Sequence, residues 1–164
     1  MTPSGQTSKL AVVALRPATR ADCAFLLEVY ASTRTDELAA LLWAAEQRQA
    51  FVHMQFTAQN AHYAQHHPGA ARDIVLVDGR PAGRLYVDRT AARIQIVDIA
   101  LLPEHRDAGV GGRLLRQLLA EAAESGLPVS LHVTTHNPAQ RLYARLGFVP
   151  LAGDEVYLEM VKLP

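Results

Sequence analysis

Asp98 to Leu115 reads DIALLPEHRDAGVGGRLL and holds residues whose types and spacing can do chemistry. An apolar run stops at Pro103 and passes through Arg106-Asp107-Ala108-Gly109-Val110-Gly111-Gly112. It resumes with Leu114, Leu115, Leu118 and Leu119 at helical spacing. The pattern predicts a strand, a glycine-bearing turn and the first turns of a helix. Such a helix start presents unpaired backbone N–H groups and the positive end of a helix dipole. Gly109 and Gly111 carry no Cβ, so a bulky anion can come close to the main chain. The chemistry expected there is capture of a phosphate or pyrophosphate, although glycines near a helix start also occur as plain turn chemistry. Spacing rejects two other phosphate motifs. Leu114 stands where the dinucleotide fingerprint needs its third glycine, and no Gly-Lys-Ser/Thr of a P-loop occurs. Asp98 adds a titratable group: it interrupts an apolar strand, where a buried carboxylate without a partner would be costly.

The elements that must position these groups can be read in order. Residues 1–8 read as a disordered tail, and 9–164 as a single domain. Lys9 to Arg16 predicts a first strand, closed by Pro17. Thr19 and Asp22 then open a helix to about Ser32, and a second helix is expected over Asp36 to Ala45. Glu46 to His67 is the long helix, with Val52, Phe56 and Tyr63 as its apolar stripe. Gln55, Gln59 and His62 run along the edge of that stripe. Strands Asp73 to Val77 and Ala82 to Asp88 flank a hairpin signal at Asp78-Gly79. The next strand, Ala92 to Leu102, is apolar enough to be central. Helix Gly111 to Ser125 returns the chain to a parallel neighbour, Val129 to Thr134. Helix Asn137 to Leu146, with Gly147 as its cap, precedes closing strands Phe148 to Leu151 and Glu155 to Lys162.

Composition narrows the function. The 164 residues are 49% hydrophobic and 20% charged, with a formal net charge of +0, which speaks against a nucleic-acid backbone partner. Cys23 is the one cysteine, so an internal disulfide and a multi-cysteine metal site are excluded. It reads as a small apolar residue in the first helix. No stretch approaches the ~20 apolar residues of a membrane span, and Leu10 to Leu15 is short for a secretory signal. The cytoplasm is expected, with no membrane partner and no metal.

Arg106-Asp107-Ala108-Gly109-Val110-Gly111 resembles the acyl-CoA loop of the GNAT superfamily of N-acetyltransferases, whose pattern is Gln/Arg-x-x-Gly-x-Gly/Ala. Downstream, Ala139, Leu142, Tyr143, Gly147 and Phe148 match the family's N-x-x-A-x-x-L-Y-x-x-x-G-F helix. The asparagine is displaced by one place, to Asn137. The resemblance runs well from Arg80 to the C-terminus and in element order before it. It implies an α/β domain of mixed α+β character. Its twisted, mostly antiparallel sheet would have about six to seven strands, with a parallel central pair and flanking helices.

The resemblance also implies an N-acetyltransferase that moves an acetyl group from acetyl-CoA to a primary amine by direct attack on the thioester. Tyr143 takes the family position that donates a proton to the departing sulfur. Backbone groups of Ile99, Ala100 and Leu101 would pair with pantetheine like an added strand, and Asn137 would touch it too. The loop from Arg106 through Asp107, Ala108, Gly109, Val110, Gly111 and Gly112 to Arg113 would hold the pyrophosphate. Asp107 departs from a frequent glycine, offset by Arg106, Arg113 and Arg116. His132 resembles a histidine that serves as base in N-terminal acetyltransferases of the superfamily, and imidazole chemistry suits that task. Asp98 can orient His132, act as base through water, or bond to backbone. Another family base position is Gln95 here, which cannot titrate. Gln55, Gln59 and His62 would line the acceptor pocket, or else form a solvated flank of their helix. The expected partner is a small-molecule amine, amino-acid-like in kind, with a homodimer compatible. A protein N-terminus or lysine as acceptor, and a non-catalytic acyl-CoA sensor, are the alternatives.

Overall fold

Both residues of the Asp78-Gly79 turn have positive φ (50° and 79°), as the tightest hairpin turn requires. The turn joins β2 (Ala71–Val77) to β3 (Arg80–Arg89) in an antiparallel ladder. The computed structural model describes residues 10–164, so the tail expected over 1–8 lies outside the described residues. Before the hairpin come β1 (Val13–Pro17), α1 (Cys23–Thr33), α2 (Thr35–Ala39) and α3 (Ala45–His66). After it come β4 (Ile94–Leu101), α4 (Val110–Ser125), β5 (Val129–Thr134), α5 (Gln140–Arg145), β6 (Val149–Gly153) and β7 (Tyr157–Lys162). The strands form a seven-stranded sheet in the order β1-β2-β3-β4-β5-β7-β6, and only β4 and β5 pair in parallel. The expected mixed α/β architecture with a parallel central pair is therefore the one present.

Each face of the sheet has its own apolar cluster. On one, Leu114, Leu115 and Leu118 of α4 pack with Leu85, Val87, Ile94, Ile96, Val129 and Leu131 of the sheet. Burying each of those leucines contributes about 2 kcal/mol, so the amphipathic stripe alone accounts for the docking of α4. On the other, Tyr30 and Leu38 meet Val52 and Phe56 of α3.

Two helices are shorter than their patterns predict. The second ends at Ala39 rather than Ala45, since Leu42 is fully exposed and Trp43 turns to stack edge-on against Phe51 at 5.2 Å. That contact sets the entry angle of α3. The last begins at Gln140, because the chain from Asn137 first makes turns of the i→i+3 kind. Asn137 is therefore not the helix cap. Its Oδ1 accepts the Ala139 N–H at 2.9 Å, which caps the preceding turn.

The feature that matters most for function is an irregularity in β4. Tyr86 stands opposite Asp98 and Val87 opposite Ile96, which leaves Val97 as an extra residue. Strict alternation would put Asp98 on the face of Ile94 and Ile96. The bulge reverses the phase, so Ile99 and Leu101 pack on the α4 side and Asp98 turns toward α3.

Candidate active site

The ladder between β4 and β5 has its last rung at Ile96 and Leu131, although β4 runs on to Leu101 and β5 to Thr134. Beyond the bulge the two strands part. The side of β4 that faced β5 is left as an open edge along Val97, Asp98, Ile99, Ala100 and Leu101. An internal strand edge of this kind accepts an extended ligand by main-chain pairing. Gly83 lets β3 and β4 approach closely here, since a Cβ on it would lie 2.2 Å from the Ala100 carbonyl oxygen.

At the end of β4 the chain turns through Pro103–His105 into the loop before α4. Asp107 (φ 55°) and Gly109 (φ 81°) both take the left-handed conformation. That explains why glycine is common at the first of these positions, and aspartate is one of the few side chains that tolerate it. The backbone N–H groups from Asp107 through Gly112 donate to no acceptor among the described residues. The first bond of the ladder runs from the Arg113 N–H to the Gly109 carbonyl at 3.1 Å. A run of free donors at the start of a sixteen-residue helix is the arrangement that suits an anion. The donor set fits a pyrophosphate, and the open edge beside it fits a pantetheine arm.

The arginines divide differently from expectation. Arg106 Nε donates to the Leu101 carbonyl at 2.9 Å, and its Nη2 reaches Ser32 on α1, so this guanidinium braces the strand end instead of facing the loop. Arg113 Nη1 donates to the Ala11 carbonyl and is likewise engaged elsewhere. Arg116 folds back over Gly112, with Nη1 3.4 Å from where a Cβ would lie.

Tyr143 is held by the end of its own helix. The Phe148 N–H bonds to the Tyr143 carbonyl (3.0 Å) and the Gly147 N–H to the Ala144 carbonyl (3.0 Å), while Gly147 has φ 90°. This is a Schellman closure, and its usual apolar contact is the edge-on pair of the Tyr143 and Phe148 rings at 5.9 Å. The spacing Tyr143…Gly147-Phe148 thus has a local physical cause. The ring is buried, and its hydroxyl has no hydrogen-bond partner among the described residues. Burial, and secondly the charge of Asp98, push the phenol up to about 12.

Asp98 lies in a cluster that sequence reading only partly foresaw. Its carboxylate accepts Arg84 Nε (3.2 Å), Arg84 Nη2 (2.9 Å) and the Tyr63 hydroxyl (2.7 Å). Arg84 Nη2 also donates to the side-chain amide oxygen Oε1 of Gln59 at 2.9 Å. Burial first and Asp98 second raise the Tyr63 phenol far above its ordinary range, so it stays a donor. Of the three residues expected along α3, Gln59 reaches this cluster. His62 is exposed and stacks on His66 at 4.1 Å, and Gln55 makes no side-chain hydrogen bond among the described residues. Arg84, Tyr63, Tyr30 and Tyr86 were the residues missed. A signal existed for Arg84: it shares a strand face with Tyr86 and Asp88, so a charge had to point into a covered layer.

His132 is the first residue of β5 beyond the last rung. Leu131 and Val133 face the α4 cluster, so His132 lies on the Asp98 face, exposed and opposite Glu159 of β7. The structure does not join it to Asp98 by a hydrogen bond. Gln95, the other family base position, is buried and accepts Arg93 Nη2 at 3.0 Å. Cys23 opens α1 and is exposed. Among the described residues no group of His, Cys, Asp or Glu is arranged to hold a metal, and no helix is long and apolar enough to cross a membrane.

Solved structures similar in fold include three acetyltransferases. The PaiA N-acetyltransferase of Thermoplasma acidophilum, in complex with coenzyme A, is 17% identical, with 93% of this chain and 99% of that one covered and a TM-score of 0.70. An acetyltransferase of Thermus thermophilus is 18% identical over 94% of this chain and 99% of that one, with a TM-score of 0.66. A protein of Corynebacterium glutamicum described as histone acetyltransferase HPA2 and related acetyltransferase is 23% identical over 93% and 96%, with a TM-score of 0.64. No curated protein matches the chain in sequence. The model of the acetyltransferase (GNAT) family matches residues 28–148, a span that includes α2, α3, the open edge of β4, the free donors before α4 and Tyr143. The chain belongs to the GNAT family of acetyltransferases, enzymes that use acetyl-CoA.

Proposed function

We propose that the protein acetylates the primary amine of a small molecule, the amine attacking the thioester directly. Acetyl-CoA supplies an activated acyl carbon and a thiol leaving group. The observation that carries this reading is the open edge of β4, flanked by the free N–H run from Asp107 to Gly112 and by the protonated phenol of Tyr143.

The chain's own groups divide the work. The N–H groups before α4 hold the pyrophosphate, and main-chain groups of Ile99, Ala100 and Leu101 pair with the pantetheine. A backbone N–H on that edge also faces the thioester oxygen as it gains charge. The Tyr143 hydroxyl, free of any internal partner, donates to the departing sulfur. Asp98 already accepts three donors, so its part is to position Arg84 and Tyr63. His132, exposed at the mouth of the opening with no competing bond, removes the proton of the attacking amine. Cys23 is the exposed first residue of α1 and takes part in none of these contacts, so no step is assigned to its thiol.

The test is a panel of small amines incubated with acetyl-CoA while free thiol is monitored. Release of CoA that depends on one class of amine supports the reading. Tight CoA binding with no release for any amine or for peptide amines makes the domain a sensor and refutes it.

A further inference from the structure

Arg84 is the most enclosed charge in the acceptor layer, with 1% of its surface exposed. Its Nε and Nη2 grip Asp98 from the side, and Tyr30 and Tyr86 lie beside its Cζ at 5.9 and 5.4 Å. Its Nη1 is buried and has no partner. A buried donor on a charged group that lacks an acceptor is costly, and native structures seldom keep one without a use. The side-on grip of Asp98 leaves the end of the fork, Nη1 with the second N–H of Nη2, directed at α1 and α3. Half of that end is taken by the Gln59 side-chain amide oxygen at 2.9 Å. Gln59 is half-buried and therefore borders the solvent side of the layer.

The charges here also leave room for an anion. Arg72 lies 5.7 Å from the same Tyr86 ring and makes no ion pair among the described residues. Arg34, which donates to the Tyr30 hydroxyl at 2.8 Å, is neutralised by Glu37. Two guanidiniums thus flank Tyr86, with Asp98 as the bound carboxylate between β3 and β4.

We infer that the acceptor amine carries a carboxylate, which displaces the Gln59 side-chain amide oxygen and takes both N–H groups at the end of the Arg84 fork. Planar two-point recognition is what a guanidinium offers a carboxylate and an ammonium does not. Gln59 acts as a stand-in, its amide oxygen occupying one of the two places when no acceptor is bound. The inference rests on acetyl transfer to a small amine and specifies which amines.

The experiment uses three matched sets of acceptors with acetyl-CoA: the common L-amino acids, their carboxamides, and the amines left when the carboxylate is removed. The best acceptor is expected among the amino acids, and its kcat/KM should fall at least about tenfold as the amide or the bare amine, mainly through KM. In Arg84→Lys, which keeps the charge but not the fork, that ratio should fall toward one, with CoA affinity and melting temperature showing that the fold holds. In Gln59→Ala, which leaves Arg84 untouched, the ratio should persist or rise. An amide or bare amine as best acceptor overturns the inference while acetyl transfer stands, as does a ratio that survives Arg84→Lys or collapses in Gln59→Ala. If no member of any set releases CoA while another amine of the wider panel does, this inference fails and acetyl transfer stands; if no amine of the panel does either, both fail.

Discussion

Replacing Tyr143 with phenylalanine removes one oxygen and keeps the ring that packs against Phe148. The lost hydroxyl bonds to nothing among the described residues, so no buried group is orphaned and the melting temperature should stay within a degree or two. The kinetic cost follows from acidity. The phenol is pushed up to about 12, whereas a thiol has a reference pKa of about 8.5. Complete proton transfer to the leaving sulfur would run uphill by roughly 5 kcal/mol at about 1.36 kcal/mol per unit. Tyr143 therefore helps by a hydrogen bond to a sulfur gaining charge. One such charge-assisted bond is worth about 1.5–3 kcal/mol, or roughly 10- to 150-fold in kcat. The assay compares kcat for acyl thioesters whose thiols differ in acidity. The loss in Tyr143→Phe should shrink as the leaving thiol becomes more acidic, and CoA affinity should not change. An equal loss for every donor would mean that Tyr143 only positions the cofactor. The pH profile gives a second check. A raised phenol pKa keeps the donor protonated below it, so the wild type should lack an alkaline limb from Tyr143 below about pH 10. An alkaline limb near pH 8 that disappears in Tyr143→Phe would refute the raised value.

Other substitutions test the remaining parts. Asp107→Gly removes a side chain from a left-handed position and a carboxylate from the anion site, so CoA should bind tighter by up to about 1 kcal/mol, discounted for exposure, by titration calorimetry. Weaker binding would give Asp107 a positive role. Gly83→Ala places a methyl 2.2 Å from the Ala100 carbonyl oxygen and 2.9 Å from the Leu101 Cα, both backbone. It should cost about 1–3 kcal/mol in urea unfolding and weaken CoA together with it, and wild-type values for both would deny the close approach of β3 to the open edge. His132→Ala should lower kcat/KM for the acceptor by about 10²–10⁴ without changing CoA affinity. If Asp98→Asn gives the larger loss and His132→Ala almost none, their roles are exchanged.

What could be read from the sequence was what is decided locally. The Asp78-Gly79 turn, the bounds of β5 and the Tyr143…Gly147-Phe148 closure each depend on a few neighbouring residues, and each lies where the pattern predicts. The bulge at Val97 has no such signature, because valine is at home in any strand. Without it the phase of Asp98 is unknown, and so is its partner across the β3–β4 hairpin. The same limit explains why Gln59 and Tyr63 reach the site while Gln55 and His62 do not. Periodicity gives the spacing of a helix stripe, but the rotation of α3 about its axis is set by Phe56 against Tyr30 at 5.8 Å, a contact between distant segments. Arg106 illustrates a further gap. A motif places its backbone, yet a long flexible side chain goes to the nearest unsatisfied carbonyl, here that of Leu101.

One backbone irregularity links the separate parts of the site. By ending the β4–β5 ladder at Ile96, the bulge opens the edge that the cofactor arm needs. By reversing the phase, it brings Asp98 among Arg84, Gln59 and Tyr63. Burial first, and the Asp98 charge second, raise the phenols of both Tyr63 and Tyr143. The Asp98 oxygens are already engaged by three donors, and a phenol pushed up to about 12 is a poor acid. The acid and base tasks are thereby drawn apart: Tyr143 gives only a hydrogen bond, and the proton of the amine must leave by another route. On the Asp98 face, His132 is the β5 residue that follows the last rung and is free of bonds among the described residues. A repaired ladder would close the edge and leave the cluster in place. Deleting Val97 makes Asp98 the next residue after Ile96, so alternation keeps it opposite Tyr86 on the α3 side; pairing beyond Ile96 should be restored, and CoA binding, followed by titration calorimetry, should be lost while the Arg84–Asp98 pair persists.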